Sequence, residues 1–137
     1  MDISTQKNII RIGKVSSVNV EDMTAKVVFP DKNNLISAEL HMVNRGSLKY
    51  QDYWIPDIDE QVLCVFLPNV TGRGVSEGFI LGSFFSKISP PQSANQNIRR
   101  VDFGDGSYIE HDRSTGNMTI HATGNIKITG ANIYINE

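Results

Sequence analysis

The feature that most constrains this chain lies near its C-terminus, where a short motif returns at a nearly fixed step. Gly116-Asn117-Met118-Thr119-Ile120 recurs eight residues later as Gly124-Asn125-Ile126-Lys127-Ile128, and Asn132-Ile133-Tyr134-Ile135 follows at a step of seven. Each copy sets two apolar side chains at i and i+2 between Gly, Asn or Thr turns, the pattern of a very short strand with one apolar face. Short strands at so small a period signal a solenoid rather than a sandwich. The inward set is Met118, Ile120, Ile126, Ile128, Ile133 and Ile135, with Ile109 and Val101 as further candidates. So few apolar side chains do not offset the conformational entropy of ordering residues 100–137 in isolation. Other chains must supply the missing buried surface. Three copies that turn their isoleucine rows to a common axis and pair strands between chains make an intertwined β-helix or β-prism. A homotrimer is therefore expected, with those six residues as its axial core.

The residues before the arm also read as β-structure. Eleven glycines and many Asn, Ser and Thr leave little helix-forming material. Ile9–Val20 and Thr24–Phe29 are β-rich runs joined by a polar turn, and Pro30-Asp31-Lys32-Asn33-Asn34 is a strong turn signal. Ser37–Met42 alternates with period two, Val43–Asp59 reads as a long loop, and Gln61–Leu67 is the most apolar strand. After the Thr71-Gly72-Arg73-Gly74 turn, Gly78–Phe85 forms a fifth strand. Five strands with one long connection between the third and fourth suit a small closed barrel of the OB kind. Ser89–Asn97 is polar and proline-punctuated, a linker. The expected organisation is all-β: an OB-like domain over residues 1–86, a linker over 87–99 and the β-helix or β-prism over 100–137.

The chemistry-bearing residues are few. Cys64 is the single cysteine and sits in the apolar run Val62–Leu67, so it is expected to be a buried thiol. Asp57, Asp59 and Glu60 read as a solvated turn before the fourth strand. No Gly-x-Ser-x-Gly, phosphate loop or His-Glu-x-x-His is present. Catalysis is not expected. Thirteen basic against fifteen acidic residues argue against a nucleic-acid partner, although Tyr50, Tyr53 and Trp54 beside Arg45 and Lys49 are the cluster such a role would use. Arg99-Arg100 stands where linker meets arm, either solvated or paired with Asp102 or Asp105 of an adjacent chain.

Several of these stretches carry a resemblance. Gly13-Lys14-Val15-Ser16-Ser17-Val18-Asn19 and Ala25-Lys26-Val27-Val28-Phe29-Pro30-Asp31 resemble the start of the phage baseplate assembly protein V family. Trp54-Ile55-Pro56-Asp57-Ile58-Asp59-Glu60-Gln61-Val62-Leu63, Gly78-Phe79-Ile80-Leu81-Gly82-Ser83-Phe84-Phe85 and Pro90-Pro91 continue it in order. That family is the central spike of contractile phage tails and is similar to the needles of type VI secretion and R-type bacteriocins. The resemblance implies an OB-like domain that docks to tail hub or baseplate proteins and a trimeric prism that pierces the target cell envelope. The family commonly has glycine where Asp59 stands, a turn that Asp tolerates. Many spikes end in a His-x-His tip that binds iron; here His111 and His121 are ten apart, so neither a metal nor another cofactor is expected. A separate tip-capping protein is a further expected partner.

The first residues, Met1–Lys7, lack the basic start and apolar core of a signal peptide. The protein is thus expected to be made in the bacterial cytoplasm and built into a virion or tail-like particle. The alternatives are an oligomeric β-helical adhesion module and, more remotely, an OB-fold nucleic-acid binder.

Overall fold

The computed structural model describes residues 1–136. The chain divides into two compact units, Met1–Ser86 and Lys87–Glu137, each described here by itself. It is all-β, with almost no helix.

The first unit is a closed five-stranded barrel. Its strands are β1 (Ile10–Asn19), β2 (Thr24–Phe29), β4 (Leu40–Met42), β7 (Gln61–Pro68) and β8 (Val75–Ser83); β3 (Leu35–Ile36) adds to the outer edge of β2. The order is β1-β2-β4-β8-β7 and back to β1, antiparallel throughout except for the β4–β8 pair. This is the connectivity of an OB-type barrel. Period-two alternation sends Val15, Val27, Phe29, Leu40, Val62, Cys64, Phe66 and Ile80 into one core. Cys64 is fully buried, and burial pushes its thiol up to about 11 while Arg11 opposes the shift.

Gly13 lets β1 pass close to β2. A Cβ there would meet Val27 Cγ1 at 2.5 Å, the Val28 carbonyl oxygen at 2.6 Å and Phe29 Cδ1 at 2.9 Å. A bulge between Val15 and Ser17 bends β1. There the turn before β7 is tied in: Asp59 N–H donates to the Val15 carbonyl at 2.8 Å, and Val15 N–H donates to the Glu60 carbonyl at 3.0 Å. Asp59 has a φ of +73°, the left-handed conformation that explains a preference for glycine there and that Asp adopts at modest cost.

Within the first unit the structure differs from the sequence expectation in four places. Ser37–Met42 is not one strand: the Ser37 hydroxyl accepts the Val27 N–H at 2.9 Å in place of a ladder carbonyl, so β3 and β4 are separate. Val43–Asp59 is not a plain loop but carries a ribbon of β5 (Arg45–Ser47) and β6 (Gln51–Asp52). The ribbon's register shift falls at Gly46, whose φ is +82° and where a Cβ would lie 2.1 Å from the Tyr50 carbonyl oxygen. β8 begins three residues earlier than expected, extended by its pairing with Pro68 through Val75, and Phe84 and Phe85 fall outside it. Finally, a one-turn helix α1 (Ile3–Gln6) precedes the barrel, capped by Asp2, whose Oδ1 accepts the Thr5 N–H at 2.7 Å. Thr5 is itself buried, and its hydroxyl accepts the Gly74 N–H at 2.7 Å. The N-terminus is thereby fastened to the β7–β8 turn.

Two outcomes check the barrel. Gly13→Ala destabilises it by about 1–3 kcal/mol through overpacking against backbone, read as a lowered Tm. Alkylation of Cys64 at pH 8 is expected to be negligible in the folded protein and rapid in denaturant, read by mass spectrometry.

Candidate functional site

The second unit begins as an antiparallel meander of β9 (Ile98–Asp102), β10 (Tyr108–Asp112) and β11 (Asn117–His121). β9 starts two residues before the expected start of the arm at residue 100, because Ile98 and Arg99 pair with Asp112 and His111. The register sorts the side chains into two unlike faces. On one, Ile109 lies directly between Val101 and Ile120, and His111 lies between Arg99 and Met118. On the other, Tyr108 lies between Asp102 and His121, and Glu110 between Arg100 and Thr119.

The polar face is a network organised by Arg100. Its Nε donates to Asp102 at 2.9 Å, its Nη1 donates to Glu110 Oε1 at 3.0 Å, and its guanidinium carbon lies 3.7 Å from the centre of the Tyr108 ring. Tyr108 in turn stacks on His121 with ring centres 5.3 Å apart. The hydrogen bond to Glu110 is the main cause that holds Arg100 above its ordinary range. Arg100 therefore has its acidic partners within its own chain. Glu110 went unnoticed as a partner in the sequence, though strand parity (Arg100 with Asp102, Tyr108 with Glu110) carries the signal.

Two turns close the meander. Asp105 Oδ1 accepts the Ser107 N–H at 2.9 Å, and the Thr123 hydroxyl donates to Asp105 Oδ2 at 3.3 Å. Asp112 Oδ1 accepts both the N–H and the hydroxyl of Ser114. These bonds favour the carboxylate form: the Ser107 backbone bond is the largest cause lowering Asp105, and the Ser114 hydroxyl bond the largest lowering Asp112.

The apolar face has no cover. None of the described residues from Lys87 onward is buried. Met118 and Ile120 share β11 with their side chains on the face of Ile109 and Val101, and they are 70% and 63% exposed. Residues 122–136 contain neither strand nor helix, so the second and third motif copies do not pair in the single chain. Ile126, Ile128, Ile133 and Ile135 lie there, from 51% exposed at Ile133 to 81% at Ile135. The structure thus brings together only the first two of the six residues.

The aromatic cluster of the first unit is split. Trp54 packs against the barrel core, whereas Tyr50 and Tyr53 are exposed around the β5–β6 ribbon.

No protein-family model matches this sequence. The chain is 21% identical over 125 residues to a protein named spike protein from Escherichia phage P2, an alignment covering 91% of this chain and 56% of that protein. It therefore spans a little over half the length of that relative. The similarity supports kinship with phage spike proteins.

The two aspartate turns make the arm sensitive to acid. A carboxyl held below its unfolded value contributes stability above that unfolded value and loses it as pH falls through the folded one. Protection of the Ser107 and Ser114 amides, followed by hydrogen exchange, is accordingly expected to be full at neutral pH and to fall below the ordinary aspartate range.

Proposed function

We propose that the protein is the structural spike at the tip of a contractile injection machine, a phage tail or phage-tail-like bacteriocin. The observation that carries this reading is the uncovered row of Met118, Ile120, Ile126, Ile128, Ile133 and Ile135 on an arm without a core of its own. A trimer buries all six at its axis, and interchain pairing satisfies the backbone of residues 122–136. Similarity to a phage spike protein supports the same reading.

The mechanism is mechanical and involves no catalytic residue. Contraction supplies work, and the arm transmits force to the target envelope. A rod whose strands all pair across chains has no free edges along its shaft and resists bending and fraying. The Arg100 network and the Asp105 and Asp112 turns brace each chain's contribution. The barrel is the docking part: Ile10, Ile12, Leu67 and Leu81 are exposed on its outer wall, an apolar surface for a hub protein to cover.

Two measurements test the proposal. Immunogold electron microscopy is expected to place the protein at the distal end of a contractile tail, and labelling elsewhere or only on free protein would count against a spike. Ile128→Asp puts three carboxylates beside one another at the axis. It is expected to convert the trimer to monomer in light scattering, while the barrel still melts cooperatively; a surviving trimer would overturn the axial placement.

A further inference from the structure

The barrel wall has a gap. β4 and β8 pair only at His41–Phe79 and Met42–Ile80. Before those positions the two strands of the wall part: one side runs through Leu35–Glu39, the other through Val75–Gly78. β3 is paired with β2 on one edge, and the Val75–Gly78 part of β8 is paired with β7 on one edge; neither has a strand on its other edge among the described residues. Both segments line the same cleft, of about 430 Å3, together with Leu40, Phe66 and Arg11. Apolar walls are thus combined with two unpaired strand edges, which is the chemistry that accepts an added strand.

Arg11 makes the cleft selective. Its guanidinium carbon lies 4.3 Å from the centre of the Phe66 ring and 5.2 Å from that of Phe29. Its Nε donates to the Asn8 carbonyl at 3.0 Å. Among the described residues no carboxylate lies within 4.0 Å of it, the only such pairs being those of Arg100. Burial works against its charge, with Asp31 opposing from further away. A half-buried guanidinium stacked on aromatic rings and lacking an anion is a preformed carboxylate receptor. At the same cleft stand Glu39 and Glu77, both exposed. They repel a phosphodiester backbone or a run of acidic residues.

From this arrangement we infer that the cleft binds an extended peptide segment of a partner protein, laid along the free β3 and β8 edges with a single carboxylate side chain on Arg11. The main chain of the segment supplies hydrogen bonds to the strand edges, and alternate side chains meet the exposed Leu35 and Ile36 and the half-buried Val75. The two edges and Arg11 belong to one barrel, so the cleft is complete without the arm and without a second copy of the chain.

The test is a fluorescence-anisotropy titration of the full-length protein with two fluorescein-labelled hexapeptides of alternating threonine and valine, one with a central glutamate and one with glutamine in its place. The glutamate peptide is expected to bind about tenfold or more tightly than the glutamine peptide, the span of one charge-assisted hydrogen bond. Arg11→Gln is expected to erase that difference. Should Arg11→Gln unfold the barrel, Ala38→Trp serves instead: it fills the cleft from an exposed position, and it is expected to weaken both peptides about equally while Tm stays unchanged. Equal binding of the two peptides, no binding of either at millimolar concentration, wild-type binding by a folded Arg11→Gln or Ala38→Trp protein, or preference for a single-stranded oligonucleotide would overturn the inference.

Discussion

A β-strand carries N–H and C=O groups along both edges, and its apolar side chains need a surface to turn toward, so a chain made of strands is stable only where edges and faces both find partners. The two units of this protein meet that demand to very different degrees. The barrel meets it internally by closing the sheet, β7 against β1 and the parallel β4–β8 pair completing the ring. The arm pairs three strands and then runs out of neighbours, leaving residues 122–136 without strand partners and its isoleucines in water.

Closure of the barrel rests on a few local devices. Gly13 removes the side chain that would hold β1 away from β2, the bulge after Val15 turns β1, and the left-handed Asp59 brings the next turn back to it. Where the ring is weakest, between the start of β8 and the segment after β3, the wall opens into the cleft that Arg11 overlooks. The same shortage of strand pairing appears in miniature there: among the described residues, two edges have no partner strand and the Arg11 cation has no carboxylate within 4.0 Å. On the readings proposed above, these unfinished places are where other molecules contribute.

The arm's polar face explains how a segment with no buried residue among those described holds its three strands together in the single chain. Arg100 gathers Asp102, Glu110 and Tyr108, and the aspartate turns set the hairpins in register. These contacts range from exposed to half-buried and are individually weak. They suffice to present Val101, Ile109, Ile120 and Met118 on one side, but they build no core. Oligomerisation is, on the proposed reading, the step that turns a presented face into a buried one.

Much of the barrel was legible because burial there follows strict alternation. Val62, Cys64 and Phe66 point inward in the structure as their parity requires, and the register of β11 puts Met118 and Ile120 on one face and His121 on the other. The β5–β6 ribbon, the break at Ser37 and the short α1 were not legible, since each depends on a particular hydrogen bond or φ rather than on a pattern. Of the arm, the motif repeat was readable in the sequence, whereas the Arg100 network required knowing which strands lie side by side. By itself the sequence determined the strand periodicity, the composition of the core and the surplus of isoleucine in the arm, because these follow from which side chains water rejects. Only the tertiary structure decided the closed strand order, the gap beside Arg11 and the pairing of Arg100 within its own chain, because these depend on contacts between residues far apart in sequence, where no local pattern reaches.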